Sequence, residues 1–223
     1  MFSTVQFENG FFNANIPLLR RKHSAFEIED LPGLWRIHWQ LGNTTVVSTF
    51  YTRIDQACLL WGIISSIIFI TAQFLPLDWR VQALLWSGLT LLGTVAMISL
   101  SQRWKTVEPL NQIVAAWVLL MVGGLVLTDL SVFLSWGQVL AKLCPLWLGL
   151  NALGYFYTGL KMRSRAFFLI GLGQLLGVAA LPYLESWQFL ATGVFMGLSS
   201  ILMAELQWDS GGVCANHALT DQV

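Results

Sequence analysis

The sequence predicts an all-α fold, a polytopic membrane protein with six transmembrane helices. Two observations carry that expectation. Of 223 residues, 56% are hydrophobic and only 11% are charged, against roughly 25% charged in a soluble domain. Beyond Arg53 the apolar residues gather into six stretches of about 20 residues, each long enough to cross a ~30 Å hydrocarbon core. Lipid offers the backbone no hydrogen-bond partners, so each stretch must be helical. Such a composition excludes a soluble enzyme, a disordered tail protein and a basic nucleic-acid binder. The formal net charge of zero points to no acidic or basic partner. The expected partners are the lipid bilayer and other membrane proteins, with no nucleic acid.

Residues 1–53 form a polar N-terminal region, expected on the cytoplasmic side. It holds the basic run Arg20-Arg21-Lys22-His23, an acidic patch at Glu27, Glu29 and Asp30, and a turn at Leu31-Pro32-Gly33. The basic run meets acidic, polar sequence instead of an apolar core, so no cleavable signal peptide is expected. It reads as a topology determinant, or as a contact for anionic head groups. Trp35 to Trp39 alternates bulky and polar residues, and Thr44 to Tyr51 is rich in β-branched and aromatic residues; both suit short strands.

The transmembrane domain is expected over 54–206, with spans at 55–74, 81–100, 111–134, 137–158, 165–181 and 187–205. The links at 76–80, 101–109, 135–136, 159–164 and 182–186 are short, so neighbouring helices must run antiparallel. A polar tail, 207–223, contains Gly211-Gly212 and is expected to fray.

Orientation follows the bases. Ten of the twelve lie on one side: Arg20, Arg21, Lys22, Arg36, Arg53, Arg103, Lys105, Lys161, Arg163 and Arg165. Arg80 and Lys142 mark the other. Both termini are therefore expected in the cytoplasm, the membrane being a plasma or inner membrane or an internal, thylakoid-type one. A weak repeat pairs the spans into three hairpins. Trp79, Trp136 and Trp187 open the turns opposite the bases, each followed by Gln and Leu, with Trp61, Trp117 and Phe168 one helix-length earlier. Tryptophan favours membrane interfaces in any case. If the repeat is genuine, the hairpins surround a central axis, a plan in which sites sit at repeat interfaces.

Asp129 stands out, because a carboxylate within a span calls for a partner or a function. Lys142 is its natural partner, since the turn near Ser135-Trp136 puts both at matching depth on adjacent helices. With Thr128, Ser131 and the Ala141 carbonyl crowded by Pro145, the pair would make one polar locus. That locus is either a structural ion pair or an ion, proton or polar-substrate site, unless Lys142 snorkels to the interface. Deeper polar residues form stripes: Asn151, Tyr155 and Thr158 on the fourth span, Ser87, Thr90 and Thr94 on the second, and Gln174 on the fifth. They suit helix-packing contacts or a wet path. Gly173-x-x-x-Gly177 and Gly193-x-x-x-Gly197 are small-residue faces that would let the fifth and sixth spans approach closely.

His23, His38 and His217 all lie outside the spans, so an intramembrane bis-His haem is not expected. Cys58, Cys144 and Cys214 are isolated, with no C-x-x-C pair. No catalytic or metal motif is found, and no cofactor is expected. The reading favoured by the sequence is a non-enzymatic subunit, scaffold or assembly factor of a membrane complex. The alternative is a small transporter or ion-conducting protein using Asp129 and Lys142. A lipid-modifying or isoprenoid enzyme ranks lowest, because its acids would have to cluster at an interface where only Glu108 stands.

Overall fold

A computed structural model describes residues 17–22, 35–41, 44–101 and 108–209. His23, the acidic patch at 27–30, the turn at 31–33, Arg103, Lys105 and the tail from 210, with Cys214 and His217, lie outside these residues. The protein is mostly helical, with strands in both terminal regions that amend the all-α expectation. In chain order the elements are β1 (Leu19–Arg21), β2 (Trp35–Leu41), β3 (Thr44–Tyr51), α1 (Arg53–Phe74), α2 (Trp79–Ser101), α3 (Glu108–Phe133), α4 (Gly137–Leu140), α5 (Leu143–Met162), α6 (Arg165–Ala180), α7 (Gln188–Glu205) and β4 (Leu206–Trp208). Two 3-10 turns, Leu181–Tyr183 and Glu185–Trp187, link α6 to α7.

The two β-rich stretches pair as an antiparallel hairpin, β2 with β3, from Trp35 opposite Tyr51 to Leu41 opposite Thr44, with a bulge between Trp39 and Gln40. The chain then enters α1 through a capping box. The Thr52 hydroxyl accepts from the Asp55 amide, and the Asp55 carboxylate accepts from the Thr52 amide at 2.8 Å. Such reciprocal caps satisfy two of the N–H groups a helix start leaves open.

Among the described residues five helical segments are long and apolar enough to cross a membrane: Arg53–Phe74, Trp79–Ser101, Leu110–Phe133, Arg165–Tyr183 and Glu185–Glu205. α5 is the remaining long helix and is more polar. Half of its 20 residues are buried, Asn151, Tyr155 and Thr158 among them. A helix enclosed by its neighbours meets little lipid and can carry such residues. The expected unbroken span 137–158 is corrected. Residues 137–140 form one helical turn, the chain breaks at Ala141 and Lys142, and α5 starts at Leu143 and runs on to Met162. Pro145 is the third residue of α5, where its missing N–H has no helical partner to lose. It marks a helix start, and the polar locus expected around the Ala141 carbonyl loses its basis.

The helices close into a ring. α1 neighbours α2, α2 neighbours α3, α3 neighbours α5, and α7 joins α5 to α1, with α6 packed against α5 and α7. The first two hairpins share a device in which the indole of one helix covers a glycine of the next, Trp61 on Gly93 and Trp117 on Gly154. The third departs from it, because Phe168 covers Gly159 back in α5.

The small-residue faces are also corrected. Gly193 and Gly197 meet α1 at Phe69, Ser66 and Gly62, not the fifth span. Gly177 faces Phe195 and Leu148, and nothing lies within 4 Å of a Cβ built on Gly173. A Cβ on Gly197 would collide with the Ser66 hydroxyl and sit 3.2 Å from the Gly62 carbonyl, a backbone atom with nowhere to go. Gly197→Leu should therefore part α1 from α7 and lose about 3 kcal/mol or more, the upper end for overpacking. Gly173→Leu should leave the detergent melting midpoint unchanged. Equal melting of the two variants would contradict the packing described.

The terminal regions meet at one end of the bundle. β1 pairs antiparallel with β4, Leu19 opposite Trp208 and Arg21 opposite Leu206, and the Asp209 amide donates to the Leu18 carbonyl at 3.2 Å. The tail was expected to fray from 207. Gln207 to Asp209 are instead part of the fold, with Trp208 edge-on to Phe167 at 4.8 Å between ring centres.

Candidate functional site

The ring of helices encloses an elongated lumen of about 160 Å³. Its wall runs along α1 from Arg53 to Phe69, a length of about 24 Å at 1.5 Å per residue. One end lies among Arg53, Leu100, Ser101 and Leu110. The other end abuts a packed apolar cluster of Phe69, Cys144, Leu148, Leu181 and Met196. Arg53 is the sole charged residue among the described lining residues. Its guanidinium Nη1 reaches the Leu100 carbonyl at 3.4 Å, and its buried Nε has no partner among the described residues.

Four indoles line the lumen. Three are tied across helix boundaries: Trp61 Nε1 to Met97 Sδ at 3.4 Å, Trp117 Nε1 to Thr158 Oγ1 at 3.0 Å, and Trp147 Nε1 to Thr128 Oγ1 at 3.2 Å. The fourth, Trp86 Nε1, is buried without a partner among the described residues. Asn151 also lines the lumen and is 4% exposed. No described residue hydrogen-bonds its carboxamide. An unpartnered buried polar group costs about 1–3 kcal/mol. Arg53 Nε and Trp86 Nε1 are two such atoms on one cavity, and the Asn151 carboxamide adds a third polar group that no described residue hydrogen-bonds.

Other members of the predicted stripes join helices, and some bond only within their own. Tyr155 and Ser200 share a hydrogen bond at 3.0 Å between α5 and α7. Gln174 Nε2 donates to Ser199 at 2.8 Å and to the Phe195 carbonyl at 3.1 Å, joining α6 to α7, while its Oε1 has no partner among the described residues. Thr94 and Thr158 bond back to carbonyls of their own helices.

The expected Asp129–Lys142 pair is not formed. Asp129 accepts from the Ser87 hydroxyl on α2, 2.8 Å from Oδ2. Lys142 is exposed at the start of α5. The break at Ala141 and Lys142 takes residue 142 out of the regular helix on which the pairing rested.

Two buried ionic clusters went unforeseen. Lys22, read in the sequence as part of a surface basic run, points inward. Its side chain is 6% exposed and its Nζ donates to Asp55 Oδ2 at 2.6 Å, to the Phe50 carbonyl at 3.2 Å and to the Ala204 carbonyl. It also lies 4.9 Å from the centre of the Tyr51 ring. Beside it the Tyr51 hydroxyl donates to Glu205 at 2.7 Å. Burial, reinforced by that carboxylate, raises the Tyr51 pKa from 10.0 to about 12. The second cluster is Asp209 at the start of α6. It accepts from Ser164 Oγ at 2.8 Å, Arg165 Nε at 2.8 Å, and the amides of Arg165 and Ala166 at 3.1 and 3.0 Å. Burial works to raise its pKa, but these donors prevail and hold it below the ordinary carboxylate value.

Among the described residues no three His, Cys, Asp or Glu side chains group as metal ligands. No known protein family, curated protein or solved structure matches this chain.

Proposed function

We propose that this is a six-span integral membrane protein, with both termini in the cytoplasm, that serves as a non-enzymatic subunit, scaffold or assembly factor of a membrane complex. α5 supplies the sixth crossing beside the five apolar segments. The meeting of β1 with β4 at one end of the bundle supports an even number of crossings, and the bias of basic residues favours that end as cytoplasmic. The membrane is a plasma or inner membrane, or a thylakoid-type one.

The observation that carries the reading is how the polar groups of the spans are used. Ser87–Asp129, Trp117–Thr158, Tyr155–Ser200 and Gln174–Ser199 each join two different helices. Such contacts hold a bundle rigid, while its outer faces stay apolar and Trp79, Trp136 and Trp187 stand exposed at the turns. A rigid body with an apolar, aromatic-rimmed outside suits lasting contact with other membrane proteins. The transporter reading, which draws on Asp129 with Lys142 and on the level of Asn151 and Gln174, lacks the support of an Asp129–Lys142 pair, because Asp129 bonds to Ser87.

The test is purification of the tagged full chain from its native membrane in mild detergent, with mass spectrometry of what accompanies it. The expected result is migration with a larger complex of fixed composition. Migration only as a free monomer or homodimer would refute the proposal.

A further inference from the structure

We infer that the lumen is a binding site for a neutral membrane lipid whose buried end is a ring bearing a carbonyl oxygen, of the quinone type, and whose chain leaves sideways between α2 and α3. This goes beyond the subunit reading and does not depend on it.

Size comes first. A cavity of about 150 Å³ lined by apolar side chains accepts benzene. The lumen, at about 160 Å³ spread along its length, is too small for a whole lipid and leaves room for at most a single ring. Chemistry comes second. Four indoles, Tyr155 and three phenylalanines line the wall, and aromatic rings pack favourably on planar guests. With Arg53 at one end the only charge among the described lining residues, an ionised guest held deeper would be buried unpaired at high cost. The unpartnered groups then set the polarity. Trp86 Nε1 can only donate, and the Asn151 carboxamide can donate or accept. A neutral ring with carbonyl oxygens satisfies both donors.

The route comes third. Ser101 and Val114 line the lumen and also a groove on the outer face of α2 and α3, with Ile98, Val118 and Val122. α2 and α3 are tied near their other ends by Ser87 and Asp129. They are thus fastened at one end, while at the other Ser101 and Val114 are the wall that separates the lumen from the outer groove and that a chain would have to part. Asn151 lies eleven residues before the end of α5, roughly 16 Å in. A ring held there would trail its chain past Val114 into the groove.

The test uses the full chain in nanodiscs, with decyl-substituted benzoquinone as probe and decylbenzene as the carbonyl-free control. Tryptophan fluorescence reads binding. The expected result is saturable quenching by the quinone that decylbenzene displaces only at roughly tenfold or higher concentration. Asn151→Leu and Trp86→Phe should each erase most of that preference. Asn151 has no hydrogen bond to lose among the described residues, so its variant should fold, and circular dichroism confirms it. If one variant fails to fold, the other decides. Val114→Trp should slow association about tenfold while the unliganded protein melts as before. Quenching that never saturates and ignores both variants means there is no site. Equal affinity for decylbenzene overturns carbonyl recognition. An unchanged association rate in Val114→Trp overturns the lateral route.

Discussion

Lys22→Met should destabilise the protein by about 3 kcal/mol, a typical cost of breaking a buried pair by removing one partner. The lysine is as enclosed as its partner, each side chain 6% exposed. Without it, Asp55 keeps its bonds to Thr52 but loses its only cation among the described contacts. The Ala204 carbonyl, at the end of α7, also loses a donor at the pole where a helix most favours positive charge. Asp55→Asn should cost less, because an amide oxygen can still cap Thr52. The double variant Lys22→Met with Asp55→Asn should recover much of the loss, since no buried charge is left alone. Thermal unfolding of the four proteins in detergent gives the coupling energy directly. A loss below about 1 kcal/mol in Lys22→Met would place the pair in the class of exposed ion pairs and contradict its burial.

Asp209→Ala should cost roughly 2–3 kcal/mol, because it strips the start of α6 of its cap and leaves a buried serine hydroxyl and two amides unpaired. The same carboxylate predicts an acid sensitivity. Its folded pKa lies below the ordinary 3.8. A depressed pKa adds stability that is complete above the unfolded value and is lost as pH falls through the folded one. The melting midpoint should therefore hold steady down to about pH 4–5 and then drop below 3.8. Asp209→Asn should start lower and lack this contribution to the acid-side slope. Parallel acid profiles for the two proteins would mean that Asp209 is not the group responsible.

The spans were legible because lipid imposes a simple rule on composition. Expected and observed helix ends agree within about three residues for the first three and last two, within the ordinary uncertainty of helix boundaries. β2 and β3 were legible from alternation and β-branching. The start of α5 is not legible because a proline after an apolar stretch reads equally as a residue inside a helix or as one of its first turn. The Asp129 partner was missed because depth is readable from residue counts and facing is not. Ser87, 42 residues earlier, stands out only as one hydroxyl of the stripe it shares with Thr90 and Thr94, with no mark that ties it to Asp129. Lys22 and Asp209 were missed for a related reason. A basic run next to a membrane reads as an outward face, and an acid in a polar tail reads as solvated. Their partners lie up to 182 residues away, beyond what any local pattern reports. Asn151 was picked out as polar within a span, but its lack of a partner, which gives it chemical meaning, exists only in three dimensions.

The union of β1 with β4 has a consequence for biogenesis. The first strand of the chain is made long before Leu206–Trp208, the segment it pairs with, and Lys22 cannot reach the Ala204 carbonyl until α7 is in place. Residues 19–22 must therefore wait at the membrane surface while every helix is synthesised and inserted. Contacts of such long sequence separation close last. When they do, they register that the final helix has arrived on the correct side. A nascent chain arrested before residue 204 would leave β1 unpaired and Lys22 with only its Asp55 and Phe50 partners, so a gain in protection of Lys22 from an amine-reactive label on release would report completed insertion.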